Sequence, residues 1–398
     1  MKTVLVLGGG AAGFFYAINK KLVEPATRII IWERSNKLLE KVRISGGGRC
    51  NVTHACFDPR ELSKHYPRGE KELLGPFYRF HPQHTIQWFE ERGVAIQAEE
   101  DGRMFPTTNK SETIAQCLLQ QAAELGIHIQ LNTEAEAITF QAPHWRVQSQ
   151  NDVVIAADEV MVATGPSLRM WKLLEQLGYR ITPSVPSLFT FNCADQRIKG
   201  LLGLSVPSAQ LRVSGSKWQS IGPLLITHWG FSGPAVLKLS AWGAREWQAL
   251  KYRFELRVNW CGEKTQQEIL EHLTKEKETQ PKRTVISHPF FHLPRRLWER
   301  LAPLEKNWAD VSKKELLDLA AQLSDSRFQI TGKSTFKDEF VTAGGVALDQ
   351  INFKNFESKL HPGLFFAGEV LDIDAITGGF NFQAAWTGAW LAAQNKAG

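Results

Sequence analysis

Glycine placement carries much of the chemistry legible in this chain. Gly8, Gly10 and Gly13 stand in the spacing G-x-G-x-x-G, and Glu33 follows twenty residues after the last of them. In this pattern the first glycine permits a tight turn. The second lets the backbone approach a pyrophosphate, and the third lets a helix pack closely on a strand. Ala11 and Ala12 open that helix, whose N–H groups and positive dipole end would face the phosphates. Glu33 would accept hydrogen bonds from ribose hydroxyls, with Arg34 beside it. The pattern specifies a dinucleotide without separating NAD from FAD.

A second glycine-rich stretch, "ISGGGRCN", runs from Ile44 to Asn51. Gly46, Gly47 and Gly48 suit neither a helix interior nor a strand interior, so they read as a backbone platform pressed against a ligand. Ser45 and Asn51 bound it with polar groups. Arg43 and Arg49 could each reach a phosphate or an anionic ring edge. Cys50 has no C-x-x-C partner, so it reads as part of the loop rather than a redox pair, although Arg49 beside it could lower a thiol pKa.

Two further stretches end strands in glycine. "EVMVATG" stops at Ala163, Thr164 and Gly165, as a strand passing under a dinucleotide would. "GLFFAGEVLDIDAITGGFNF" stops at Gly368 and Glu369, crosses a loop carrying Asp374, and enters a helix at Gly378, Gly379, Phe380 and Asn381. A helix N-terminus there would offer N–H groups to an anion. A reduced flavin carries negative charge along one edge of its ring, and such a terminus would tune it; the stretch reads equally as a capped terminal helix packing on the sheet. In "GPLLITHWGFSGPAVLKLS", His228 reads either as a proton donor to the reaction or as a loop-fixing residue. There is no G-x-S-x-G elbow, no H-E-x-x-H, no Walker A lysine and no second G-x-G-x-x-G. No metal site is expected.

These residues need elements to hold them. Thr3–Leu7 and Arg28–Trp32 read as buried strands around a helix from Ala11, a β-α-β unit. Asn36–Asn51 reads as an irregular excursion. Ser111–Leu125 reads as a helix with Ser111 as its N-cap. Residues 135–156 read as a small antiparallel meander. Short strands punctuated by Pro and Gly fill 183–260, and charged helical pattern fills 262–324. Parallel-sheet signals lie at both ends of the chain, so the middle is an insertion into a split first domain.

Composition sets the outer bounds. The chain has 398 residues, 43% of them hydrophobic, a formal charge of +6 and a pI near 9.0. That length implies two or three domains. Basic and acidic residues are interspersed, so no basic stripe announces a nucleic-acid face. The odd count of five cysteines fits a reducing cytoplasm, and no stretch approaches the length of a membrane span. The N-terminal apolar run fits a strand and turn rather than a signal peptide.

Taken together, "VLVLGGGAAG", "ISGGGRCNVT", "THWGFSGPAVLKLS", "FVTAGGVALDQI" and "GLFFAGEVLDIDAITGGFNFQAAWTGA" resemble the BaiN-like (YhiN-like) family of FAD-dependent oxidoreductases over nearly the whole chain. The form "EKVRISGGGRCNVT" departs from the commoner "GRKLLISGGGRCN", as in a distinct branch. The resemblance implies an α/β fold. A split Rossmann-like FAD-binding domain (1–187 plus 338–398) would hold an inserted β-barrel-like domain (188–261 plus 325–337) and a helical subdomain (262–324). It implies non-covalent FAD held by the glycine and loop residues named above. It also implies an NAD(P)H-linked reductase in preference to an oxidase, with a small-molecule acceptor. Family names refer to reduction of conjugated double bonds in steroid-like ketones or to amine oxidation, so they leave the substrate open. A flavin-dependent enzyme modifying transfer RNA and a non-catalytic FAD-binding sensor are the alternatives. Either a monomer or a homodimer is compatible.

Overall fold

The computed structural model describes residues 1–334 and 341–395. It divides into two compact units, Met1–Val185 with Lys337–Gly398, and Pro186–Phe336. The expected boundary at 337/338 lies outside the described residues.

In the first unit, β1 (Thr3–Leu7), α1 (Ala11–Val23) and β2 (Arg28–Trp32) form a β-α-β unit. β1 pairs in parallel with β2 on one side (Leu5 opposite Ile30) and with the strand Glu159–Val162 on the other (Leu5 opposite Val160). Leu364–Phe366 extends the parallel sheet beyond Glu159–Val162, and His128–Gln130 extends it beyond β2. These strands are near-continuous apolar runs because both sheet faces are covered. The C-terminal helix Phe380–Ala393 is apolar almost all round, as a core helix must be. It packs on α1, with the Phe15 and Trp386 rings 5.0 Å apart. The segments Ala135–Gln141, His144–Ser149 and Val154–Ala157 form the expected antiparallel meander.

Two local expectations are corrected. Asn36–Asn51 contains a helical turn from Glu40. That turn breaks where Ser45 turns extended and Gly46 and Gly47 take left-handed φ of +58° and +67°. Ser111 is the first residue inside its helix rather than the cap. Its hydroxyl donates instead to the Arg43 carbonyl (2.6 Å), tying that helix to the glycine loop.

In the second unit, seven strands among the described residues form one sheet. Their order is Ser326–Ile330, Phe254–Asn259, Ser205–Val213, Gln219–Ile226, Gly230–Ser232, Thr190–Asn192, Gly332–Ser334. The two end strands are separated in sequence by Thr331 alone, so the sheet must curl until its edges meet. The helices Gln266–Thr279 and Lys313–Ser324 each begin with a capping box, Thr265 with Glu268 and Ser312 with Glu315. They bury Ile269, Leu273, Leu319 and Leu323 in the same core as Leu211, Leu256 and Phe328 of the sheet. The charged helical stretch therefore shares its hydrophobic core with the strands.

Candidate functional site

The first glycine motif is built by steric necessity. Gly8 has φ +113°, and a Cβ on it would lie 2.4 Å from the Ala163 carbonyl oxygen. A Cβ on Gly13 would lie 2.0 Å from the Gly8 carbonyl oxygen, so α1 can cross β1 this closely only without it. At Gly10, the N-cap of α1, a Cβ would meet open space. That space lies in front of the first-turn N–H groups, with Ala11 and Ala12 behind it. Here the strand order switches between β1 and Glu159–Val162, the place where open α/β sheets bind nucleotides. Gly8, Glu33, Arg34, Thr133, Thr164 and Ser167 line one cleft at these strand ends, so the first and third motifs meet. Ala163 is buried beneath it, and Gly165 turns the chain away with φ +66°.

Glu33 does more than expected. Its carboxylate accepts N–H bonds from Gly9 (2.8 Å) and Ser35 (2.9 Å), clamping the glycine turn to the end of β2. Its remaining lone pairs can still take hydroxyls.

The second and fourth motifs are also brought together. A Cβ on Gly379 would lie 2.4 Å from the Thr53 carbonyl oxygen and 2.8 Å from Asn51 Oδ1, so the glycine loop abuts the N-terminus of the Phe380–Ala393 helix. Buried Gln383 locks the two, with Oε1 accepting from Thr53 Oγ1 (2.6 Å) and Thr85 Oγ1 (2.9 Å). Asn51 Oδ1 accepts from Met104 N–H (3.3 Å), and the Asn381 amide closes the preceding loop on Ala375. Gly368, with φ +77°, lies against Ala12 and Ala385, so the two helix N-termini converge there. Glu369 pairs with Lys41 from the glycine-loop helix. Gly47 and Gly48 expose bare backbone with left-handed φ.

Several of the expected ligand-contacting residues have protein surroundings of their own. Cys50 is fully buried, and desolvation pushes its thiol up to about 12, so its side chain faces the core rather than a ligand. Asp374 is fully buried and paired with Arg68, because a carboxylate in that core needs a cation beside it. Arg43 pairs with Glu112 on the Ser111–Glu124 helix. Arg49 pairs with Glu99 (2.5 Å) and lies 4.0 Å over the Phe105 ring. Both arginines thus have protein partners. Ser45 donates to the Val42 carbonyl (3.1 Å) and shapes the kink. His228 lies on an exposed turn of the second unit. Thr227, not His228, fixes that turn through the Trp229 N–H (3.3 Å) and the Gly230 carbonyl (2.8 Å).

One residue escaped the sequence reading. His54 stacks on buried Phe380 (4.5 Å), and His65 stacks on that ring too (4.2 Å). His54 Nε2 lies 3.2 Å from the Asp101 carbonyl, which can only accept, so Nε2 carries the hydrogen. Nδ1 is then a buried acceptor with no protein partner among the described residues, beside Gly378 at the helix entrance. Burial lowers its pKa, keeping it neutral. A cradle emptied of Cβ atoms, two converging helix N-termini and an unmatched acceptor fit a dinucleotide with a polar ring. The only sequence signal for His54 was its place directly after "GRCNVT".

The family described as HI0933-like protein Rossmann domain matches residues 2–395. The chain belongs to the HI0933-like family. This is the flavoprotein family that the motifs resemble. This HI0933-like chain is 28% identical to a ribosomal RNA dihydrouridine synthase of Escherichia coli, over 98% of its own length and 97% of the relative. It is 23% identical to a 3-dehydro-bile acid delta(4,6)-reductase of Clostridium scindens, over 100% and 99%. Among solved structures, the HI0933-like fold superposes on a 3-ketosteroid-delta4-(5alpha)-dehydrogenase from Rhodococcus jostii. The TM-score is 0.51 and the identity 12%, with 99% of this chain and 97% of that one covered.

Proposed function

We propose that this protein is an FAD-dependent oxidoreductase. It adds hydride and a proton across a carbon–carbon double bond conjugated to a carbonyl, and its acceptor is a uracil base in ribosomal RNA. The observation that carries the reading is the agreement of full-length relatives on one kind of bond. Dihydrouridine is uridine saturated at C5–C6, a bond conjugated to the C4 carbonyl. A delta(4,6)-reductase of a 3-oxo steroid saturates the same kind of system. The RNA acceptor is favoured by the 28% identity over the whole chain. Charge supports it too: residues 186–336 hold 22 Lys and Arg against 14 Asp and Glu, while the rest holds 25 against 27.

FAD held by these residues would supply hydride chemistry, with NADH or NADPH as the proposed source of the hydride. The chain's own residues bind and orient. Gly8, Gly10 and Gly13 admit the pyrophosphate to the N-terminus of α1, and Glu33 meets the ribose. The N-terminus of the Phe380–Ala393 helix would offer positive potential to the anionic edge of a flavin held there. Gly46–Gly48 would offer bare backbone to the ring. His54 Nδ1 accepts from a ligand N–H. His228 is the proposed proton donor to the acceptor carbon.

A free enone is the second reading, favoured by the bile acid reductase relative. The test has two stages. The purified protein should be yellow, and its absorbance should bleach anaerobically with NADPH or NADH; a colourless protein sinks the flavin reading. Ribosomal RNA from cells lacking the gene should then lose a dihydrouridine that the purified protein restores. Unchanged dihydrouridine, with a small enone reduced readily, selects the second reading.

A further inference from the structure

Three cations of the second unit lie on segments that are tied to one another. The turn 227–230 leaves Trp229 50% exposed. The Trp229 carbonyl accepts from Cys193 N–H (2.7 Å), and the Ile226 carbonyl accepts from Gly203 N–H (3.0 Å), so the loop 194–203 is stitched to that turn at both ends. This loop presents exposed Lys199. Arg296, in the helix Arg295–Leu301, donates to the Gly200 carbonyl (2.5 Å), which sets that helix against the same loop. Arg300 follows one turn later on the same face. Neighbouring Arg197 and Arg295 are neutralised by Asp195 and Glu299. Lys199, Arg296 and Arg300 have no carboxylate partner among the described residues. An exposed indole and three cations thus lie on segments tied to one another through the 194–203 loop.

We infer that Lys199, Trp229, Arg296 and Arg300 form a docking surface for single-stranded RNA, with a base stacked on Trp229 and the three cations on successive phosphates. The inference rests on the reading of an RNA acceptor. A flexible strand suits the surface because every base has a π-face, and aromatic platforms among cations bind such strands with little sequence preference. A membrane would require an extended apolar stripe, and this surface has only the Trp229 indole and Leu202 among its charges. The reacting uracil's own pocket is a separate matter. This surface supplies affinity, and its energy is largely counterion release.

The test uses the flavin-loaded full chain and two probes, a fluorescent oligouridine of about 12 nucleotides and protein-free ribosomal RNA. Affinity is measured across a salt series. Arg296→Glu with Arg300→Glu should weaken binding by at least roughly thirtyfold and reduce the salt slope by about 1.4. Trp229→Ala should weaken binding about tenfold and leave the slope unchanged. Lys172→Glu, an exposed cation of the first unit, should change neither. Flavin absorbance and its bleaching should be unaltered throughout. If the variants bind RNA like the parent while the parent forms dihydrouridine, the surface is wrong and the RNA acceptor stands. If the parent neither binds nor reduces RNA, the RNA acceptor fails and takes the surface with it. If Trp229→Ala loses flavin, the turn serves the cofactor, and the docking role is overturned.

Discussion

Cys50 and Gly47 stand three residues apart and do opposite jobs. Cys50 is held in the core with its thiol pushed up to about 12 by desolvation, so it should resist alkylation in the native protein and react only after denaturation. Cys50→Ser should keep both the flavin and its reduction by NADPH. Loss of turnover with flavin retained would return Cys50 to the chemistry. Gly47 has φ +67° with open space before it, a conformation that a β-branched residue can hold only under strain of about 1–2 kcal/mol. Gly47→Val should therefore yield a folded but colourless protein, read from the absorbance ratio at the flavin and protein bands. His54→Phe tests the unmatched acceptor. It keeps the stack on Phe380 and removes Nδ1, so flavin affinity should fall several-fold with the melting temperature nearly unchanged.

At the scale of elements, the crossing of α1 over β1 has the tightest tolerance. A Cβ at Gly13 meets backbone rather than a flexible side chain, so the helix itself must shift. Gly13→Ala should cost about 3 kcal/mol, seen as a lower denaturant midpoint, and should abolish flavin binding. The helices of the second unit depend on their caps instead. Thr265→Ala removes the hydroxyl half of a capping box, leaving the residue-265 N–H on Glu268, and should cost about 1 kcal/mol, with no effect on the flavin spectrum. Comparing the two separates a site-building element from a purely supporting one.

For the whole molecule, acid stability should be set in part by one network in the first unit. Buried Lys20 lies between Glu24 and Glu159, and Lys2 joins both carboxylates. Burial opposes ionisation of Glu24, but hydrogen bonds from Lys2 and Lys20 outweigh it and hold its carboxyl at about 2. In the unfolded chain the group titrates near about 4.3. Its contribution is therefore complete above that pH and is lost as pH falls from about 4.5 to 2. Glu24→Gln should lower the melting temperature at pH 7 and flatten its decline over that acid range, as followed by thermal melts at successive pH values.

The backbone geometry of the candidate site was legible because glycines report it directly. G-x-G-x-x-G between a strand and a helix, the triple glycine and the Gly-Gly helix entrance all specify where side chains must be absent, and that requirement is local. The split parallel sheet was legible because both-face burial leaves unbroken apolar runs at the two ends of the chain. Partners of charged side chains were not legible. Arg43 and Arg49 read as anion ligands, yet Glu112 and Glu99 take them. Asp374 read as a loop carboxylate, yet it is buried against Arg68. Each of these pairings joins residues far apart in sequence, and only the packing of elements decides which charge a long side chain reaches. The same holds for the basic surface of the second unit. Its cations are scattered along the sequence, and folding alone sets the helix of Arg296 and Arg300 against the loop that carries Lys199 and is tied to the turn of Trp229.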